Sequence, residues 1–167
     1  MTGRYAAVDV FYPAAGGAVA AAVIAADPGF GTITAEHVTE LAEAAPYRPG
    51  RFADRELPAL RAVLALAGPI GLLVVDGYVD LDPYGRRGLG AHAHAAFGVP
   101  VIGVAKSAFR TATHAVPVQR GTGHRRLYVT AAGMPPDDAA DLVRGMAGAY
   151  RIPDALRRVD ALTRGVR

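Results

Sequence analysis

The sequence predicts an α/β fold on a mixed sheet, a three-strand antiparallel meander followed by alternating helices and strands, with helices on both faces. Three features carry this expectation. Two extended runs joined by a Gly-Gly turn open the chain, two short uninterrupted apolar runs suited to the centre of a sheet come later, and helix-forming stretches separate and follow them.

Tyr5 to Tyr12 (YAAVDVFY) has the β-branched and aromatic content of a strand, and Gly16-Gly17 turns it back into Ala18 to Ala25. That second run is rich in alanine, so its assignment as a strand rests on its neighbours. Asp27-Pro28-Gly29 closes it, and Thr32-Ile33-Thr34 begins a third, weaker extended segment, with a helix around Glu36 to Ala44 as the alternative. Pro46-Tyr47-Arg48-Pro49-Gly50 reads as a stiff loop, because each proline fixes its own φ and restricts the residue before it. Asp54 is placed to cap a helix through Glu56, Pro58 and Leu60 to Ala67, with Pro58 and Glu56 expected in its first turn. Gly68-Pro69 stops that helix. Ile70 to Asp76 (IGLLVVD) and Val99 to Ala105 (VPVIGVA) read as strands covered on both faces. Gly77 to Gly88 reads as loop, Leu89 to Phe97 as a short helix, Ser107 to Arg125 as a loose stretch, and Leu127 to Thr130 as a strand. Asp137 to Tyr150 and Asp154 to Thr163 close the chain as helices.

At 167 residues, 51% apolar and 20% charged, the chain is sized for a single domain, residues 1–167, with a substantial core. The longest apolar run, Ala18 to Ala26, is far too short for the ~20 residues that cross a bilayer, so no membrane partner is expected. Asp9 interrupts the first apolar stretch, which argues against a secretory signal and makes the cytoplasm the expected compartment. The absence of cysteine excludes disulfides, thiolate metal sites and cysteine nucleophiles. A net charge of +3 is a mild sign of a polyanionic partner, and of the 18 basic residues only Lys106 is lysine. In a chain that otherwise uses arginine, one lysine suggests a site suited to a compact ammonium.

Two aspartates occupy costly positions, Asp9 inside an apolar strand and Asp76 at the end of the run that looks most buried. If the first and fourth strands are neighbours, the two carboxylates converge at one edge of the sheet, where both stay ionised only with a cation between them. With no cysteine and no suitably spaced histidines, that cation is expected to be magnesium, with manganese as the alternative. Glu56 and Asp160 are placed to complete the ring. An Asp on strand one, a Glu on the first helix, an Asp closing strand four and an acid on the last helix form a ribonuclease H-like nuclease arrangement. Phosphodiester hydrolysis at such a centre uses two metal ions, one acidifying the attacking water and one stabilising the leaving oxygen.

The chain also resembles the endonuclease V family, deoxyinosine-directed nucleases of the ribonuclease H-like fold, from Val8 to about Thr163. The resemblance is carried by Asp9-Val10-Phe11-Tyr12, by Pro46-Tyr47-Arg48-Pro49-Gly50 with Arg55-Glu56-Leu57-Pro58-Ala59-Leu60, and by Val75-Asp76-Gly77. Ile102-Gly103-Val104-Ala105-Lys106-Ser107, Leu127-Tyr128-Val129 and Tyr150-Arg151-Ile152-Pro153 followed by Asp160 extend it. It implies metal ligation by Asp9, Glu56 and Asp76, with Asp160 where relatives carry an Asp or His near the metals. It implies that Tyr47 is a wedge entering the duplex beside a flipped base, with Arg48 and Pro49 of the same loop also contacting nucleic acid. Lys106 matches a lysine near the scissile phosphate, and Gly77 and Gly103 match positions where backbone amides approach the base or strand. The implied reaction is cleavage 3′ to hypoxanthine in DNA, at the second phosphodiester bond, by a protein taken as a monomer. Where the family carries His-Pro-Arg after the Asp-Gly pair, this chain has Asp82-Pro83-Tyr84, and its segment between Lys106 and Leu127 is shorter.

Two other readings stay open at this stage, a non-catalytic nucleic-acid-binding relative and a nuclease of the same chemistry acting on inosine in RNA or on branched DNA. Gly103 to Ser107 lacks the glycine before lysine that a P-loop needs, and His92 and His94, two apart on a helix, do not share a face for zinc. The arginines at 120, 125, 126, 151, 157, 158, 164 and 167 are candidates for a polyanion path or for a solvated surface.

Overall fold

The structure, a computed structural model, describes residues 3–46, 48–49 and 52–166, so Tyr47 lies outside the described residues. Its strands are β1 (Tyr5–Phe11), β2 (Ala18–Ala25), β3 (Ile33–Leu41), β4 (Leu72–Asp76), β5 (Val101–Ala105), β6 (Val116–Val118) and β7 (Leu127–Ala132). Its helices are α1 (Phe52–Ala67), α2 (Leu89–Phe97), α3 (Pro136–Arg144) and α4 (Asp154–Thr163). The strands form one mixed sheet in the order β3-β2-β1-β4-β5-β7-β6.

β1, β2 and β3 form the antiparallel meander, and β1 then pairs in parallel with β4, which pairs in parallel with β5. β7 runs antiparallel to β5 and carries β6 on its other side. Side-chain alternation divides the core into two layers. Ala7, Val74, Ile102 and Val104 face α3 and α4 through Ala139, Val143, Leu156 and Val159. Ala6, Val8, Leu73 and Val75 face α1 and α2 through Leu60, Val63 and Ala93. The α/β architecture with helices on both faces is therefore as expected, and no helix among the described residues is long and apolar enough to cross a membrane.

One ambiguity is resolved in favour of the expected third strand, and three local expectations are corrected. Ile33–Leu41 is a strand with no helix in it, because Thr34, Val38 and Thr39 suit an extended backbone and the segment pairs with β2 along its length. α1 starts earlier than expected, so Asp54 lies inside its first turn while Glu56 and Pro58 fall in the second. Pro58 cannot donate there, and the helix gives up that backbone hydrogen bond. The stretch taken as loose contains β6, which the pairing of Val118 with Leu127 holds in place.

α3 ends at Arg144, well short of Tyr150. The reason is Arg120, a buried guanidinium 7% exposed. It donates to the carbonyls of Val143, Arg144, Met146, Gly148, Tyr150 and Arg151 at 2.9–3.3 Å. The last carbonyls of a helix have no intrahelical donor and carry the negative end of its dipole, so a cation is well placed there. The chain after Arg144 wraps around that cation and does not extend the helix.

Candidate active site

β1, β4 and β5 run in the same direction, so their carboxyl ends share one edge of the sheet. The register aligns Val8 with Val75 and Val75 with Gly103. Two-residue alternation puts Asp9 on the face of Ala7, Asp76 on that of Val74 and Lys106 on that of Val104, and all three face α4. That helix delivers Asp160 directly after buried Val159. Val8, Asp9, Asp76, Lys106, Leu156, Val159 and Asp160 line one small cavity of ≈ 10 Å³, roughly the space of one water. The predicted adjacency of the first and fourth strands is thus found, and with it the predicted meeting of Asp9, Asp76 and Asp160.

Glu56 reaches the same edge from α1, on the opposite face of the sheet, and its acidity responds to the charge of Asp76. Burial, then the Asp76 charge, push the Glu56 carboxyl up to about 7, partly offset by the neighbouring Arg55. Asp9 is pushed up to about 7 as well, first by burial and then by Asp76, with the charge of Asp160 and a hydrogen bond to it adding to the shift and a Val10 backbone hydrogen bond opposing it. Crowded carboxylates with this behaviour hold protons unless a cation compensates them. The cation facing Asp76 is Lys106, whose Nζ stands 3.5 Å from Asp76 Oδ2, with both side chains 44% exposed. A contact this exposed is weak, which leaves the ammonium available to a phosphate.

Among the described residues, no group of three or more His, Asp or Glu side chains stands close enough together to hold a metal ion in the conformation seen. The donor set still fits magnesium, which is commonly held by one or two carboxylates with water and substrate phosphate oxygens completing its shell. The oxygen-only chemistry of Asp9, Asp76, Glu56 and Asp160, together with the raised pKa values of Asp9 and Glu56, would suit a hard cation in place of protons.

The remaining expected residues differ in placement. Arg48 and Pro49 are exposed on the loop between β3 and α1. β3 runs in the same direction as β1, so that loop also emerges at the carboxylate edge. Gly77, at φ +106, makes the turn directly after Asp76 and has open space beside it. Gly103 is buried, and a Cβ there would lie 2.6 Å from Gly77 O and 2.9 Å from Val79 N, both backbone atoms. Its lack of a side chain thus lets the loop after Asp76 pack onto β5. Asp82 accepts from the Tyr84 and Arg86 amides at 2.9 and 3.2 Å and so shapes a turn whose tip is Tyr84. His94 has a packing role, its Nδ1–H donating to Val99 O at 2.7 Å.

Two side chains beside the site were given no catalytic role from the sequence. The Arg55 guanidinium stacks 3.6 Å from the centre of the Tyr12 ring, next to Glu56, a contact hinted at only by an Arg preceding the Glu. Arg164, one helical turn beyond Asp160, pairs with it at 3.3 Å and lies 4.6 Å from the centre of the Phe11 ring.

Comparison with known proteins agrees with this geometry. A model of the endonuclease V family matches residues 2–125. Endonuclease V of Streptomyces coelicolor is 37% identical over 185 residues, covering 98% of this chain and 78% of that protein. The crystal structure of endonuclease V from Streptomyces avermitilis superposes with a TM-score of 0.82 at 32% identity, covering 98% of this chain and 80% of that one. An endonuclease V from Ciona intestinalis, solved in complex with a 23mer DNA containing an inosine followed by a ribo-adenosine, has the same fold, with a TM-score of 0.82 at 19% identity over 96% of this chain and 83% of that one.

Proposed function

The chain belongs to the endonuclease V family, and from that premise we propose that it is a magnesium-dependent endonuclease cutting a phosphodiester bond 3′ to hypoxanthine in DNA. The observation that carries the reading is the carboxylate edge, where Asp9 near the end of β1 and Asp76 at the end of β4 lie on adjacent parallel strands, Asp160 closes the cavity from α4, and Glu56 approaches from α1. A protein that only held nucleic acid would gain nothing from crowding four carboxylates beside a polyanion.

Asp9, Asp76 and Glu56 are the residues that would hold the metal, with Asp160 orienting one of them through its contact with Asp9. A divalent cation bound there supplies acidification of water at neutral pH and compensation of charge on the phosphate oxygens. The side chains also prepare the site electrostatically. Partial burial of Asp9 and Glu56 strengthens their hold on a cation relative to exposed carboxylates. Lys106, projecting from the end of β5, places a point charge beside the same cavity, where it offsets negative charge building on a phosphate under attack. Tyr47 is assigned as the wedge, its ring replacing the stacking lost when a base leaves the helix, and the prolines on either side of Tyr47-Arg48 lower the entropy cost of holding it.

The test is a cleavage panel of hypoxanthine-containing DNA, hypoxanthine-containing RNA and matched unmodified strands, each with magnesium, manganese or neither. Cleavage of the modified DNA at a fixed position 3′ to the base, in preference to the other strands, is expected. Stronger cleavage of the RNA would move the substrate to RNA. Metal-supported cleavage that ignores the modified base would refute the proposed specificity.

A further inference from the structure

The structure sorts the chain's arginines by what they do. Arg120 is bound by carbonyls, Arg157 stacks on Tyr150, Arg158 pairs with Glu36 at 2.6 Å, and Arg164 pairs with Asp160. Arg125 and Arg126 differ from these four, since both are exposed and neither guanidinium has a partner among the described residues; Arg86, Arg87 and Arg110 share that property, but only Arg125 and Arg126 line a cleft with Lys106. They stand immediately before β7. Because β7 is antiparallel to β5, its beginning lies beside the end of β5, with Ala105 opposite Tyr128. The two unpaired guanidinium groups therefore emerge on the same edge as the carboxylates, next to Lys106.

Between them lies an open cleft of ≈ 490 Å³, with Lys106, Ser107 and Ala108 on one wall and His124, Arg125, Arg126 and Tyr128 on the other. Among the described residues, no Asp or Glu lines it. Its walls are tied together from below, since Arg151 Nη1 donates to Lys106 O at 3.0 Å and to Arg126 O at 3.2 Å. The Tyr78 hydroxyl also fixes the Lys106 wall by donating to Ser107 O at 2.7 Å. A concave site lined by cations with no opposing carboxylate concentrates positive potential far more than the same charges spread on a convex surface. Lys106 lines both this cleft and the carboxylate cavity, so the two adjoin at its side chain.

We propose that this cleft is a subsite for the backbone of the nucleic-acid strand being cut, in which Arg125 and Arg126 bind phosphates on the β7 side of Lys106 and Tyr128 forms an aromatic wall. The proposal rests on the nuclease reading above and adds a direction to it. The strand enters over the Arg48 loop beside β3, crosses the carboxylates at the ends of β1 and β4, and leaves through the Arg125–Arg126 cleft. Guanidinium groups suit this task because their donor fork matches phosphate oxygens, whereas the reacting centre beside them has the single ammonium.

The test measures binding of a labelled single-stranded oligonucleotide over a series of KCl concentrations, using full-length protein carrying Asp76→Asn to suppress cutting. Each phosphate contact on a single strand contributes about 0.7 to the slope of log K against log salt, so Arg125→Gln with Arg126→Gln is expected to lower that slope by about 1.4. Arg125→Lys with Arg126→Lys is expected to keep the slope, since the charge count is unchanged. Arg61→Gln, which removes a charge stacked on Phe97 between α1 and α2 on the other face of the sheet, is expected to leave it unaltered. Neither Arg125 nor Arg126 has a side-chain partner to lose among the described residues, and circular dichroism is the check that the glutamine variant is folded. Binding by the parent protein with an identical slope in the double glutamine variant overturns the subsite alone. No binding of any oligonucleotide by the parent protein overturns both the subsite and the nuclease reading.

Discussion

Replacing Arg120 with methionine is expected to be among the most damaging single changes remote from the carboxylates. Methionine keeps much of the side chain's length and apolar stem but removes every donor. Six backbone carbonyls lose a partner, of which the bonds to Val143 O and Met146 O, each 2.9 Å, are buried. A buried acceptor left without a donor costs about 1–3 kcal/mol, and the four partly buried carbonyls can turn to water at less cost. Burial lowers the pKa of Arg120 below that of a free guanidinium, so relief of its desolvation returns part of that loss. The net expectation is a destabilisation of about 2–5 kcal/mol, a large fraction of the ~5–15 kcal/mol that holds such a domain together. Arg120→Lys should fall between wild type and methionine, because an ammonium keeps the charge but offers three donors to six acceptors. The chain has no tryptophan, so urea unfolding followed by far-ultraviolet circular dichroism is the appropriate assay. A loss below about 0.5 kcal/mol for the methionine variant, or a lysine variant as stable as wild type, would refute the idea that this guanidinium organises residues 143–151.

Metal-free protein should lose stability as pH rises from about 4 to 7: Asp9 and Glu56 keep protons up to about 7 when folded but release them near 3.8 and 4.5 when unfolded, so the folded state binds more protons in that window. Asp9→Asn should flatten that slope and magnesium should raise the melting temperature more at pH 8 than at pH 5, as thermal melts across pH would show; equal slopes for the two proteins count against the assignment. Gly103→Ala should cost about 1–3 kcal/mol in urea unfolding, because its Cβ meets backbone atoms of Gly77 and Val79 that cannot swing aside, and an unchanged midpoint would contradict the packing role. Tyr47→Ala should reduce the preference for hypoxanthine-containing over unmodified DNA while leaving the magnesium-induced rise in melting temperature intact, and an unaltered preference in competition cleavage would argue against a wedge.

Where the sequence was legible, a strong local pattern had a single three-dimensional solution. The apolar runs ending at Asp76 and Ala105 had to be central strands, and the helices Leu89–Phe97 and Asp154–Thr163 were bounded by Gly and Pro signals at their ends. Asp9 and Asp76 could be paired from sequence because each placed a charge in an apolar run, and parallel neighbouring strands bring such residues to one edge. β3 was ambiguous because as an edge strand it is only partly covered, and its weak alternation is resolved by pairing with β2. The end of α3 could not be read locally at all. Its cause, Arg120, lies more than 20 residues away and resembles any other arginine in an arginine-rich chain until its surroundings are known. The same holds for the Arg125–Arg126 cleft, since sequence alone could not separate paired arginines from unpaired ones.

The central claim is that Asp9 and Asp76 form a metal-dependent nucleolytic centre. Single-turnover cleavage of a hypoxanthine-containing DNA strand by wild type, Asp9→Asn and Asp76→Asn, each with magnesium and with chelator, tests it most directly. The account predicts cleavage by the wild type with magnesium, none with chelator, and rates at least about a hundredfold lower in both variants despite retained strand binding. Cleavage that survives the chelator, or an Asp76→Asn protein that cuts at the wild-type rate, would contradict it.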